Sequence, residues 1–247
     1  MQLWPLHSLE VQIKMILLLQ KNKYIFHSDK CNTELDCIDK SDETYCDYLK
    51  YGDDYAESLV PRDKSGDPTF VYMNVSILAF PHIDVINLKF TADYYLSLRW
   101  YDYRITYLDL NNMTILNSIN EDDMNNIWTP DLGFTNALGP FQTKVDELTH
   151  GVLVKESNPL DEDLSLYNEA MLFAGANNSV LLVREYYIDY GCNSFNLIYY
   201  PFDTQMCTMV FEVQGKTDDY VQLKMDHQGV EFTGLPSKPK ITKVFNI

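Results

Sequence analysis

Residues 86–100 read "INLKFTADYYLSLRW", and this stretch decides the fold class. Every second residue from Ile86 to Trp100 is apolar, whereas the residues between them, from Asn87 to Arg99, are mostly polar. Side chains of a β-strand alternate between two faces, and a helix would scatter these apolar residues around its circumference. The alternation therefore predicts one long strand with one face on a core and the other toward water.

Further strands are predicted on both sides of this stretch. The segments are "VYMNVSI" from Val71, "SVLLVREYYIDY" from Ser179, "CTMVFEV" from Cys207 and "YVQLKM" from Tyr220. Polar turn signals separate them, which favours an all-β fold, an antiparallel Ig-like β-sandwich over residues 68–247. Residues 47–67 are predicted as a linker with a possible short helix, and residues 1–23 carry no pattern that assigns them.

The charge and composition of the chain favour some classes of partner and compartment over others. Its formal net charge of −17 repels nucleic-acid phosphate and favours cations or cationic ligands. Five cysteines and three N-x-S/T sequons, at Asn74, Asn112 and Asn177, indicate an oxidising compartment and a glycoprotein. The five histidines are scattered and no H-E-x-x-H, G-x-S-x-G or phosphate-cradling Gly loop occurs, so an enzyme is the least favoured class.

The amino-terminal apolar run is short. Residues 13–20, "IKMILLLQ", are too few to span a bilayer, and no small-residue cleavage site follows them. No run of eighteen apolar residues occurs in the sequence. The chain as given is therefore interpreted either as soluble or as a piece of something longer.

Residues 31–46, "CNTELDCIDKSDETYC", combine cysteines with closely spaced carboxylates. Carboxylates at this spacing could hold a hard cation such as Ca²⁺, which takes six to eight oxygen ligands. A solvated acidic loop explains the same residues equally well.

This cysteine pattern resembles the carboxyl half of an LDL-receptor class A module, over residues 24–46. The resemblance implies a Cys31–Cys46 disulfide and possible calcium ligation by Asp36, Asp42 and Glu43. Asn32 and Asp29 stand where that family usually has Asp and Trp, and Tyr24 takes the place of its third cysteine. The first half of the module is absent, so Cys37 has no expected partner and Ca²⁺ binding is expected to be weak.

Residues 192–207, "CNSFNLIYYPFDTQMC", are predicted to form a loop closed by a Cys192–Cys207 disulfide. Such a bridge can be a plain staple between neighbouring strands, worth about 3 kcal/mol through the unfolded chain. The turn at Tyr200, Pro201 and Phe202 suggests more, because it presents aromatic surface at the tip of a rigid loop.

The same loop resembles the signature of the Cys-loop pentameric ligand-gated ion channels. Two further segments match in order: the W-x-D-x-R pattern from Trp100 to Arg104 and the W-x-P-D segment from Trp128 to Asp131. The loop itself matches at these positions: Tyr200, Pro201, Asp203, Gln205 and Cys207. The resemblance covers residues 68–247 and agrees with a sandwich predicted independently of it.

The resemblance implies an extracellular ligand-binding domain, a ring of five like or unlike subunits and a small ligand between neighbours. Residues 200–203 would couple that site to a membrane domain. Tyr95, the one aromatic on the polar face of its strand, is expected at the ligand, together with Gln214 and the segment of Phe134. Because Gln214 and Thr135 replace aromatics common in amine-binding members, a complete aromatic cage is not expected.

Three functions stay open on the sequence. The first is a channel subunit, at the extracellular face of the plasma membrane, cut before its closing hairpin, last strand and membrane helices. The second is a secreted, soluble ligand-binding protein of the same fold, and the third is a calcium-dependent extracellular adhesion module. Four apolar runs of about twenty residues after Ile247 would separate the first from the second.

Overall fold

A computed structural model describes most of the β-body and part of the amino-terminal region. The described residues are 15–18, 23–26, 29–44, 46–62, 65–139, 142–143, 151–160, 170–193, 195, 198 and 205–233. Turn residues Tyr200, Pro201, Phe202 and Asp203 of the predicted coupling loop lie outside this set.

Strands dominate the described part of the chain, as the alternation predicts. They are β1 Met15–Leu18, β2 Lys23–Phe26, β3 Leu49–Tyr51, β4 Thr69–Asp84, β5 Lys89–Trp100, β6 Ile105–Leu108, β7 Ser118–Ile119, β8 Leu132–Phe134, β9 Gln142–Thr143, β10 Gly151–Val154, β11 Leu172–Ala174, β12 Ser179–Gly191, β13 Phe211–Val213 and β14 Val221–Phe232. A 3-10 turn spans Thr114–Leu116 and one short helix, α1, spans Glu121–Asn125. No helix among these described residues is long and apolar enough to cross a membrane.

The largest sheet runs in the order β14-β4-β5-β12-β10-β7, with β9 added beside β12. Its long strands β4, β5 and β12 pair antiparallel, but β14 pairs with β4 in parallel, which the predicted antiparallel sandwich did not include. A register shift between Met225 and Val230 interrupts that parallel pairing.

Strand β5 follows the predicted pattern over most of its length. Its core-facing side chains are almost fully buried: Phe90, Ala92, Tyr94, Leu96, Leu98 and Trp100. The strand begins at Lys89, however, and not at Ile86, whose side chain is 88% exposed. The Asp84 carboxylate accepts hydrogen bonds from the backbone N–H groups of Ile86 and Asn87, at 3.0 and 2.9 Å, and so closes a turn between β4 and β5.

Two smaller sheets form the second layer of the sandwich. One has the order β11-β6-β3, and the other pairs β13 with β8. Strand β3 lies in the segment predicted as a linker with a short helix, and it pairs with β6 from Leu49 to Tyr51. Tyr48 and Tyr55 flank β3 and pack against the core. These apolar contacts, and not helix propensity, determine the extended conformation of this segment.

The tryptophan motifs form the centre of the core. Trp100 and Trp128 pack edge to face with ring centroids 6.1 Å apart. Asp102 is fully buried and accepts two hydrogen bonds from the Arg104 guanidinium, at 2.8 and 2.7 Å. The Tyr55 hydroxyl donates to Asp102 at 3.0 Å and accepts from the Trp128 backbone N–H at 2.9 Å. These contacts hold the segment that leads into β8.

Candidate ligand-binding and coupling surfaces

The pair β8–β13 packs its inner face against the large sheet. Phe134 pairs with Phe211 in register, and their rings lie 5.7 Å apart. The Phe134 ring also contacts Tyr186 of β12 at 5.0 Å, and Phe211 contacts Tyr94 of β5 at 6.2 Å. Phe134 is therefore a buried core residue, and its predicted role at the ligand has no exposed ring to support it.

The outer face of the same pair carries exposed polar groups. Glu212 and Gln214 point away from the core, and Gly133 of β8 lies between them. A Cβ atom on Gly133 would meet Gln214 Nε2 at 2.7 Å and Glu212 Cγ at 3.1 Å. The Glu212 and Gln214 side chains therefore both lie over the backbone of Gly133, which has no side chain of its own. We call Asp131, Gly133, Glu212 and Gln214 the principal surface.

Glu212 was not among the residues expected from the sequence. The sequence did contain an indication of it: Glu212 and Gln214 are two residues apart at the end of a predicted strand, and such residues share one face of the strand. The Gln214 backbone N–H also donates to the carbonyl of Asp131, the residue before β8, at 2.8 Å.

Tyr95 lies on the outward face of β5, opposite to Tyr94, and is 36% exposed. Its cross-strand neighbours are Ser76 of β4 and Glu185 of β12. We call Tyr95 and the outward residues beside it the complementary surface. Because β13 covers the inward face of β5, the principal and complementary surfaces lie on opposite outer faces of the sandwich.

A disulfide joins Cys192 to Cys207 at one end of the large sheet. The Cys192 backbone N–H donates to the Leu88 carbonyl at 2.7 Å, which places the bridge beside the β4–β5 turn. Asn136 ties the neighbouring strands together, since its side chain bonds the Gly191 and Thr208 carbonyls and the Val210 N–H.

This end of the domain exposes large apolar side chains. Among the described residues, those at this end with at least two-fifths of their surface exposed include Ile83, Ile86, Leu88, Leu138, Ile198 and Met206. Lys89 of β5 and Asp189 of β12 form an ion pair at 2.8 Å near the same end of the large sheet. Hydrogen bonds from Lys89 and Thr91 lower the pKa of the Asp189 carboxyl below its ordinary value.

The acidic amino-terminal segment is closed by a Cys31–Cys46 disulfide, and Cys37 is a buried free cysteine. Asp42 is fully buried; one of its oxygens accepts the backbone N–H groups of Asp36 and Cys37 at 2.6 and 3.1 Å. The Glu43 carboxylate accepts hydrogen bonds from the backbone N–H groups of Asn32 and Thr33, at 2.8 and 3.1 Å.

The Asp42 and Glu43 carboxylates therefore accept hydrogen bonds from the segment's own backbone. In the described part of the chain no group of three or more His, Cys, Asp or Glu is placed to hold a metal. One buried oxygen, Asp42 Oδ1, has no hydrogen-bond donor among the described residues, but Ca²⁺ takes six to eight oxygens. The arrangement does not fit a calcium site, and weak binding stays a prediction.

The three sequons occupy different positions. Asn112 and Asn177 are exposed in turns, whereas Asn74 is half-buried in the middle of β4, between β5 and β14. Turn positions can carry a bulky glycan without disturbing a sheet, and glycosylation at all three stays a prediction.

The fold and its surfaces define a class: a two-layer β domain with two separate candidate surfaces on opposite faces and a disulfide at one end of its large sheet. The sequence profile of the Neurotransmitter-gated ion-channel ligand binding domain matches residues 43–242. The chain belongs to this family. The match begins at residue 43, and so includes the segment of β3 that the sequence predicted as a linker.

Relatives of this chain are receptor subunits and not enzymes. It is 28% identical to the gamma-aminobutyric acid receptor subunit beta-4 of Gallus gallus over 64% of its length. It is 22% identical to the epsilon subunit of Homo sapiens over 70%, and 26% identical to the beta-like subunit of Drosophila melanogaster over 62%. The chain spans between 27% and 32% of the length of these relatives.

Proposed function

We propose that this chain is the extracellular ligand-binding domain of a ligand-gated channel subunit, and that its ligand binds between adjacent subunits of a pentamer. One observation carries the proposal: the principal surface and Tyr95 lie on opposite faces of one domain. A single chain cannot bring them together, but head-to-tail contact between copies does so at every interface. Heterologous contacts of this kind form a closed ring when the rotation between neighbours closes, and we propose that it closes at five subunits.

Coupling of this site to a pore is the second part of the proposal. The end that carries the Cys192–Cys207 bridge also exposes Ile83, Ile86 and Met206. An exposed apolar group of this kind marks a surface that meets a protein or membrane partner. We assign it to the membrane portion of the receptor, at the outer face of the plasma membrane.

Cysteine cross-linking tests the head-to-tail arrangement. The double variant Tyr95→Cys with Gln214→Cys should form disulfide-linked ladders, up to five subunits, on a non-reducing gel, and reductant should collapse them. Each single variant should stay unlinked, because head-to-tail contact never places two copies of one position together. Cys37 is buried and gives little background.

The single variants also supply the contrary outcome. Dimers formed by Tyr95→Cys alone would indicate a two-fold, face-to-face contact and would refute the ring. A double variant that remains monomeric under oxidation would refute it too. A matched control pairs Tyr95→Cys with Ser65→Cys, since Ser65 is exposed and lies outside both surfaces.

A further inference from the structure

The sequon at Asn74 lies inside the complementary surface. The odd-numbered residues of β4 from 71 to 77 are buried in the core, so Asn74 and Ser76 lie on the outward face that also carries Tyr95. In the register of β4 with β5, Asn74 lies directly opposite Ser97. Ser76, the hydroxyl residue of the sequon, lies directly opposite Tyr95. The acceptor asparagine is therefore a diagonal neighbour of Tyr95.

A subunit contact of ordinary size that is centred on Tyr95 would cover Asn74. Diagonal neighbours in an antiparallel pair of strands lie about 7–8 Å apart. An ordinary protein interface covers about 800 Å² on each partner, which is a patch of roughly 16 Å radius. Asn74 therefore lies well inside the area that the neighbouring subunit would cover in the proposed ring.

The other two sequons lie outside that area. Asn177 precedes β12, whose first residue, Ser179, is six residues before Glu185, the cross-strand partner of Tyr95. At about 3.4 Å per residue this separation is roughly 20 Å along the strand. Asn112 follows β6, which belongs to the second layer, behind the large sheet. A glycan at either turn leaves the complementary surface open.

Modification at Asn74 attaches a bulky, hydrophilic oligosaccharide to this surface. An oligosaccharyltransferase joins Asn74 Nδ2 to the anomeric carbon of a lipid pyrophosphate-linked oligosaccharide. The bond from that carbon to the pyrophosphate oxygen breaks, the lipid pyrophosphate leaves, and Nδ2 loses a proton. Because Asn74 faces away from the core, the sandwich can close behind the glycan. A second subunit cannot occupy the same space, since the centre of an interface is packed as densely as a protein interior.

We propose that Asn74 is an N-glycan acceptor whose occupancy controls assembly: a chain with a glycan at Asn74 is excluded from the ring, and a chain without it is admitted. The inference rests on the proposed function, because only the ring brings a second subunit onto this face. Each subunit of a closed head-to-tail ring uses both of its surfaces. One blocked complementary surface is therefore sufficient to exclude its chain.

Glycan occupancy in separated assemblies tests this inference without altering the chain. The complete coding sequence that contains the chain is expressed in cultured insect cells, and monomers are separated from assembled subunits by sedimentation. Peptide N-glycosidase in heavy-oxygen water converts each glycosylated Asn to a labelled Asp, which mass spectrometry counts at each sequon. Occupancy at Asn74 should be about tenfold or more lower in assembled subunits than in monomers, which is about 1.4 kcal/mol. Occupancy at Asn112 and Asn177 should be the same in both fractions.

Equal occupancy of Asn74 in monomers and assembled subunits would overturn the inference, and so would an unmodified Asn74 in both fractions. The double variant Tyr95→Cys with Gln214→Cys separates these results from failure of the proposed function, because it leaves the sequon intact. Linked ladders whose subunits carry the Asn74 glycan would refute only the exclusion. Absence of ladders would refute the ring itself.

Two variants that remove the same sequon through different side chains locate the effect. Asn74→Gln removes the acceptor and Ser76→Ala removes the hydroxyl that the sequon requires, so both should raise the assembled fraction to the same extent. Ser76→Thr keeps the sequon and should not raise it. Asn112→Gln is the matched control, since it removes one glycan far from Tyr95 and should leave the assembled fraction unchanged. An equal rise in Asn112→Gln would show that the position of the glycan does not matter, contrary to the inference.

Discussion

Replacing Tyr55 by Phe removes one hydroxyl that joins three separate parts of the domain. That hydroxyl donates to the buried Asp102 carboxylate at 3.0 Å and accepts from the buried Trp128 backbone N–H at 2.9 Å. Loss of a hydrogen bond to a charged group costs about 1.5–3 kcal/mol, and an unsatisfied buried N–H costs about 1–3 kcal/mol. Because Arg104 still neutralises Asp102, we expect the lower part of the combined range, about 3 kcal/mol.

Guanidinium titration and thermal unfolding, both followed by circular dichroism, measure this loss as a free energy and as a melting temperature. For a domain of this size about 3 kcal/mol lowers the melting temperature by roughly 6–12 °C. Tyr103→Phe is the matched control, since Tyr103 is exposed and should change stability by less than about 0.5 kcal/mol. If Tyr55→Phe behaved like Tyr103→Phe, the hydroxyl would not link the two tryptophan motifs, and our account of them would be wrong.

Three further measurements test other parts of the structure. Cys192→Ser should leave Cys207 open to a thiol reagent and lower stability by about 3 kcal/mol; a protected Cys207 would mean a different partner. The pKa of Asp189 is lowered, so its contribution is present above about pH 4 and is lost as pH falls through the folded pKa. The urea midpoints of the chain and of Asp189→Asn should therefore converge in acid, and a constant difference would contradict this. Calorimetry with Ca²⁺ at about millimolar concentration should show weak or no binding to the segment of residues 29–46. A dissociation constant below about 1 µM would contradict this prediction.

Alternation in the sequence was sufficient to predict β5, but it could not show where that strand begins. Ile86 continues the apolar pattern, yet the Asp84 side chain bonds the following backbone N–H groups and ends the pairing with β4. Local hydrogen bonds of this kind compete with a strand and are invisible to a period of two. The parallel pairing of β14 with β4 was missed for a related reason, since strand order depends on contacts remote in sequence.

Which side chains reach the candidate site depends on the face of the strand that each occupies and on its burial, and a sequence motif does not show these directly. Phe134 was assigned to the ligand by its place in a motif, but its ring completes an aromatic cluster with Tyr186 and Phe211. Once Phe134 faces the core, its neighbour Gly133 must face outward, and so must Glu212, which pairs with Gly133. The register of one short strand pair thus determines which side chains can reach a ligand.

That same strand pair connects the principal surface to the disulfide end of the domain. Glu212 lies two residues after Val210, whose N–H donates to the Asn136 side chain at 2.9 Å. The Asn136 amide also donates to the carbonyls of Thr208, at 2.7 Å, and Gly191, at 3.2 Å, which adjoin the two bridged cysteines. A ligand that displaces Glu212 therefore acts on a strand tied by one side chain to both ends of the disulfide. This short, contiguous set of contacts is the physical element through which we expect binding to bias the apolar end of the domain.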